Sequence, residues 1–189
     1  MIHIIDDFLP EKYYNEIEKI IKDNTQFPWY YVPNITYTSN LKNQVNTPGF
    51  STSIIDETHP VMKYSQFILP FALHIAGTVG GEVLRVKANM TLPTKTKGND
   101  AHIDRNSPHY AGVLFVGESD GDTIIYQETV NYDELDPSIP PTVPDKLTPL
   151  ERVSPKPNRL VLFDGSHWHS GEAPTSGSRV LLNVNISMP

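Results

Sequence analysis

The hydrophobic rhythm of this chain changes near residue 82. Before that point, two stretches carry apolar residues three and four apart: Tyr13, Ile17, Ile20 and Ile21 after Pro10, and Val61, Tyr64, Ile68, Phe71 and Ile75 after Thr58-His59-Pro60. Such spacing lines up one stripe of an α-helix, and proline suits the first turn, where its missing N–H has no partner to lose. Two helices are therefore predicted, the second kinked at Pro70 and ended by the glycines of 77–81. Residues 1–8 alternate as a short strand, and 26–37, rich in Phe, Trp, Tyr and Pro, reads as an extended segment filling core. The polar, turn-prone stretch 40–49 reads as a flap.

After residue 82 the period drops to two. In 83–90 one face carries Val83, Arg85, Lys87 and Asn89 and the other Leu84, Val86, Ala88 and Met90. In 179–186 one face carries Arg179, Leu181, Asn183 and Asn185, and the other, the core side, Val180, Leu182, Val184 and Ile186. Stretches 111–116 and 123–127 are apolar strands, and Asp120-Gly121 between them predicts a hairpin. Segment 131–158 has prolines at 137, 140, 141, 144, 149, 155 and 157, which excludes an ordinary helix or central strand and reads as an insertion. The expectation is a single domain over 1–189, mainly β with flanking helices. Helical support occupies 1–82, and a β core occupies 83–189 around the insertion.

Composition narrows the chemistry. The chain of 189 residues is 38% hydrophobic and 20% charged, ordinary for a soluble globular protein. The longest apolar run, 67–76, is about half of a membrane span and contains Pro70 and His74. The first residues meet Asp6 and Asp7 without a basic region or cleavage site, so the expected location is the cytoplasm. With no cysteine, disulfides, iron–sulfur clusters and thiolate zinc sites are excluded, leaving histidine and carboxylate as metal ligands. The net charge of −7, with no basic run, disfavours a nucleic-acid partner.

His102-Ile103-Asp104 is the pair that stands out. Two residues apart on an extended chain, the imidazole and the carboxylate point to one side and can hold one ion. A second histidine completes a two-histidine, one-carboxylate triad, which binds three corners of an octahedral ferrous ion and leaves the others open. His167 and His169 share parity and compete for that place. His59 and His74 lack partners at metal-like spacing and read as structural, and His109 lies past Pro108 on the next strand. The loop 94–100 before the triad reads equally as a lid and as a plain surface connection.

Taken together, His102-x-Asp104, His169 and Arg179 ten residues on resemble the signature of the iron(II)- and 2-oxoglutarate-dependent dioxygenases, in their small prolyl-4-hydroxylase-like branch. Ser119-Asp-Gly-Asp-Thr123, Asn158-Arg-Leu-Val-Leu-Phe-Asp-Gly165, and His169-Ser-Gly171 followed by Pro174 are similar to that branch as well. The likeness covers roughly 83–186. It implies a double-stranded β-helix (jelly-roll, cupin-like) core with the N-terminal helices packed outside. It implies Fe(II) on His102, Asp104 and His169, leaving His167 beside the site. It also implies 2-oxoglutarate with its distal carboxylate on Arg179, O2 as oxidant, and oxidation of a peptide or small molecule, a peptidyl proline being the leading candidate. Asn89 stands where that branch presents a tyrosine to the cosubstrate, and Asn185 where relatives carry an arginine or an aromatic residue.

The competing reading is a non-oxidative jelly-roll or cupin-like metal-binding module, or a degenerate paralogue. Arg179 separates the two, because a non-oxidative cupin has no use for it. A zinc hydrolase would use a similar ligand set, but no distinct acid is placed to serve it as a base.

Overall fold

The computed structural model describes residues 1–36, 47–57, 59–95, 98, 100–136 and 138–189. Its framework is two antiparallel sheets. The larger runs β1 (Ile2–Ile5), β9 (Leu160–Asp164), β6 (His109–Phe115), β11 (Arg179–Ser187), β5 (Val83–Thr91), β3 (Gly49–Asp56) and β2 (Tyr30–Val32), with β4 (His59–Pro60) also paired to β3. The smaller runs β10 (His167–Gly171), β7 (Thr123–Thr129) and β8 (Pro149–Val153). This is the double-stranded β-helix expected from the sequence.

Two clusters hold it together. The outer one joins α1 (Glu11–Glu18) and α2 (Ser65–Val79) to the large sheet: Tyr14, Ile17, Ile68, Phe71 and Ile75 pack against Val86, Ala88, Val180, Leu182, Val184 and Ile186. The inner one lies between the sheets, with Ala111, Val113, Phe115, Val161, Phe163 and Leu181 of the large sheet against Ile125 and Val153 of the small one. The helices thus cover one face of the large sheet, and the site is built from the other. Strands β6 and β11 approach so closely that a Cβ on Gly112 would lie 2.6 Å from Val184 Cγ1. No helix among the described residues is long and apolar enough to cross a membrane.

Several expectations are corrected. The hairpin between 111–116 and 123–127 does not form: β6 pairs with β9 and β11, whereas β7 pairs with β8 and β10, so the connector through Asp120-Gly121 crosses from one sheet to the other. A tight turn favours reversal of the chain, but which strand it then pairs with is decided by the core. The second helix starts at Ser65, not at Thr58-His59-Pro60. His59 and Pro60 form β4, and Val61 is 52% exposed. It ends as expected, at Gly80 with φ 73°, a conformation that costs glycine little. Within 26–37, Phe27 is buried, while Tyr30 and Tyr31 are 65% and 64% exposed and fill no core.

Strand β3 begins at Gly49, the last residue of the stretch read as a flap, and runs on to Asp56, a segment for which the sequence carries no separate expectation. Of the flap over 40–49, residues 40–46 lie outside the described residues, as do 96, 97 and 99 of the 94–100 loop. The alternation in 83–90 slips at its start: Asn185 faces Arg85, but Ile186 faces Val83, so Leu84 is an extra residue and Val83 joins the core face. The proline-rich insertion holds a 3₁₀ turn (Tyr132–Glu134) and the edge strand β8, in which Pro149 takes the first place, where a missing N–H is tolerated.

Candidate active site

Four strands and one loop converge on the face of the large sheet turned toward the small one. His102 follows the loop from β5 and is held by a reciprocal pair of backbone bonds to His169, N to O at 2.9 Å and back at 3.0 Å. This bridge ties the two histidines together from segments far apart in sequence. Their rings lie 4.4 Å apart, and with Asp104 they form a cluster whose ligand atoms all fall within 4.8 Å of one another. Asp104 Oδ1 is 3.8 Å from His102 Nε2, and Oδ2 is 3.8 Å from His169 Nε2.

The outward nitrogens show which ring atoms face the centre. His169 Nδ1 donates to the His167 carbonyl at 3.1 Å, and His102 Nδ1 donates to the Asp100 carbonyl at 3.4 Å. Each Nε2 is left with its lone pair toward the carboxylate, the arrangement a metal-binding imidazole needs. Burial, with smaller help from His169, pushes the His102 pKa down to about 3, so its ring is neutral at pH 7. Burial alone would raise the Asp104 pKa, but the neighbouring histidines and the Arg85 guanidinium outweigh it and hold the group ionised. Two imidazoles and one carboxylate within bonding span of a common point fit a divalent first-row metal with open positions.

His167 does not join them. Its Nδ1 donates to the Tyr126 carbonyl at 2.8 Å. The register of β10 on β7 jumps between His167, opposite Thr129, and His169, opposite Ile125, and this irregularity breaks the shared parity. His109 is fully buried, donates from Nδ1 to Ser107 O at 2.8 Å, and lies outside the cluster. His59 and His74 stand apart, the one donating to Glu57 O and the other packed on the Phe8 ring.

Three residues that the sequence did not single out for this purpose hold Asp104 in place. Asn183 and Asn185 each donate an amide hydrogen to Oδ2 at 2.9 Å, and Arg85 Nη2 lies 3.3 Å from Oδ1. Their signal is parity: Asn183 and Asn185 share a face of β11 with Arg179, and Arg85 stands opposite Asn185 on β5.

Arg179 opens β11 at the far end of this row. Nε donates to Gly121 O at 2.7 Å, Nη2 to Thr123 Oγ1 at 2.6 Å, and the guanidinium stacks over Phe115 at 5.5 Å. Burial lowers its pKa to about 10, against the opposing pull of Asp122 and Glu172, so it remains a cation. Arg179, Thr123, Asn89 and the triad line one cavity of about 70 Å³. Asn89 sits on its β5 wall, where its Oδ1 accepts from Ser51 Oγ at 2.7 Å.

No protein-family model matches the sequence, and no curated protein matches it. Solved structures do match. An oxidoreductase of the 2OG-Fe(II) oxygenase family from Burkholderia pseudomallei superposes with a TM-score of 0.70 at 12% identity, covering 98% of this chain and 84% of that one. The non-heme α-ketoglutarate-dependent epimerase SnoN of nogalamycin biosynthesis gives 0.68 at 10% identity, over 99% and 78%. A prolyl hydroxylase from Trichoplax adhaerens, solved with a hypoxia-inducible-factor peptide, gives 0.63 at 12% identity, over 98% and 83%. The chain therefore has the fold of the 2-oxoglutarate/iron(II) oxygenases.

Proposed function

We propose that this protein is an iron(II)- and 2-oxoglutarate-dependent oxygenase, in which His102, Asp104 and His169 hold the metal and Arg179 holds the cosubstrate. The observation that carries this reading is one cavity lined by both the two-histidine, one-carboxylate cluster and a buried arginine. Bound iron(II) would supply the activation of O2 by which 2-oxoglutarate is decarboxylated to succinate and a substrate is oxidised. The chain's own part is positional. Arg179 offers a planar cation to a carboxylate at the end of a narrow cavity, and Thr123 and the Gly121 carbonyl fix its direction. Asn183, Asn185 and Arg85 orient Asp104. Val113 and Leu181 line the apolar part of the wall and exclude water.

For the substrate, a proline-containing peptide is the first candidate, on the sequence resemblance and on a prolyl hydroxylase among the structural neighbours. The α-ketoglutarate-dependent epimerase of the same fold shows that the framework serves other reactions, and fold alone does not choose among them.

Succinate release tests the reading without knowledge of the substrate. Wild-type protein is expected to convert 2-oxoglutarate to succinate slowly when iron(II) and O2 are both present. Arg179→Ala should weaken 2-oxoglutarate binding about a hundredfold, roughly 3 kcal/mol for a charge-assisted two-point contact. Absence of both turnover and 2-oxoglutarate binding in the wild type would leave the non-oxidative metal-binding module as the better account.

A further inference from the structure

Asp104 lines two cavities. On one side is the narrow chamber with Arg179; on the other is an open groove of about 580 Å³ lined by Arg85, Asp104, Arg105, Asn106, Ser138 and Pro140 among others. That volume lies within the roughly 300–1,000 Å³ usual for small-ligand sites. One wall comes from the proline-rich segment, pinned where Asn106 Nδ2 donates to the carbonyls of Asp136 at 2.9 Å and Ile139 at 2.8 Å. The Asp136 carboxylate is turned back on its own segment, accepting from Ser138 N and Oγ.

The groove is basic in a chain whose net charge is −7. Arg85 and Arg105 both line it, and the Nε of each is buried without a hydrogen-bond partner among the described residues. Buried donors left unpaired are costly and rare in native proteins, so two on these arginines mark a pair of guanidinium groups whose donor capacity the described residues do not fill. Lys87, next after Arg85 on the same face of β5, has its pKa lowered first by burial and then by Arg85, while Asp104 and Asp56 pull the other way and Arg105 adds a smaller repulsion. Asp104 pairs with Arg85 at 3.3 Å, but it also accepts from Asn183 and Asn185 and in the reading above holds the metal, so one carboxylate faces two lining arginines. The cosubstrate carboxylate belongs to Arg179 in the other chamber. Positive charge is thus in excess on the side that the cosubstrate does not fill.

We infer that the substrate of this enzyme carries an anionic group, a carboxylate or phosphate, that docks on Arg85 and Arg105 in the groove beside Asp104. This rests on the oxygenase reading for the word substrate, but the anion site is tested by itself. Either a small acid or an acidic side chain on a proline-containing peptide would supply the group.

Protein loaded anaerobically with iron(II) and saturating 2-oxoglutarate is titrated calorimetrically with paired probes, one member anionic at the tested group and the other neutral there. The pairs are glutamate and glutamine, phosphoserine and serine, and the capped peptides Glu-Pro-Glu and Gln-Pro-Gln. The charged member of at least one pair is expected to bind about tenfold or more tightly than its neutral twin. That preference should shrink as salt is raised. The pair that shows it identifies the small acid or the peptide as the source. Arg105→Gln should erase most of the preference, and Arg105→Lys, which keeps the charge, should retain part of it. Equal binding within every pair, or a preference that survives Arg105→Gln, overturns the inference. Succinate release, measured separately, reports on the oxygenase reading: turnover without charge preference removes the anion site and keeps the enzyme, and charge preference without turnover does the reverse.

Discussion

The two faces of β11 are almost equally hidden from solvent, yet they are chemically opposite. Val180, Leu182, Val184 and Ile186 on one face are at most 2% exposed, and Arg179, Leu181, Asn183 and Asn185 on the other at most 7%. The first face is satisfied by shape, packing under α1 and α2. The second depends on named partners: Gly121 O and Thr123 for the arginine, and Asp104 for the amide NH2 of both asparagines. Burying such groups costs free energy unless each finds a hydrogen bond. A strand that carries them alternately with its core residues is therefore specifying a site. Burial alone does not separate core from active site; what each buried residue touches does.

The largest expected effect is on the polar side of that division. His169→Ala should abolish iron(II) binding in an anaerobic titration while circular dichroism shows the fold kept, and His167→Ala should leave most of the binding. The reverse result would move the third ligand to His167. On the apolar side, Leu182→Ala should cost about 2–5 kcal/mol of stability in chemical denaturation, the usual range for a buried leucine whose neighbours cannot collapse into the cavity. Metal stoichiometry should survive it. A Leu182 variant that folds normally but fails to bind iron would show that the two faces are not separable.

Asn185→Ala tests the boundary from the middle of the strand. Its Nδ2 lies 2.9 Å from Asp104 Oδ2, and its Oδ1 is buried without a partner among the described residues, so its principal bond is to the carboxylate. Loss of such an outer partner typically lowers metal affinity about 10–100-fold. Thermal unfolding of the metal-free protein should shift less than it does for Leu182→Ala.

Much of this division was legible in the sequence, because the period of two in β11 sorts Arg179, Asn183 and Asn185 from Val180, Leu182 and Val184 without further information. His102-x-Asp104 was legible for the same reason. What could not be read were the features decided by pairing between distant segments. The insertion of Leu84 moves Val83 to the other face, and nothing local announces it. The Asp120-Gly121 turn suggests reversal but not a change of sheet. The separation of His167 from His169 depends on a register shift against β7. The alternation puts Arg85 on one face with Lys87 and Asn89, but its approach to Asp104 required knowing that β5 lies beside β11.

The smallest expected effect concerns Asn89, which stands opposite Leu181 of β11 on one side and Ser51 of β3 on the other. Because its Oδ1 accepts from Ser51 Oγ at 2.7 Å, the amide is oriented with its NH2 group left to donate. It lines the same chamber as Arg179, so the acceptor available to it in the oxygenase reading is 2-oxoglutarate. A single neutral hydrogen bond is worth about 1 kcal/mol, or roughly a fivefold change in affinity. Asn89→Ala should therefore raise the 2-oxoglutarate concentration for half-maximal succinate release about fivefold, far less than Arg179→Ala. Ser51→Ala, which only frees the amide to rotate, should have a smaller effect in the same direction. If Asn89→Ala leaves that concentration unchanged while lowering stability, the residue serves the β3–β5 pairing, and the chamber grips its cosubstrate through Arg179 without it.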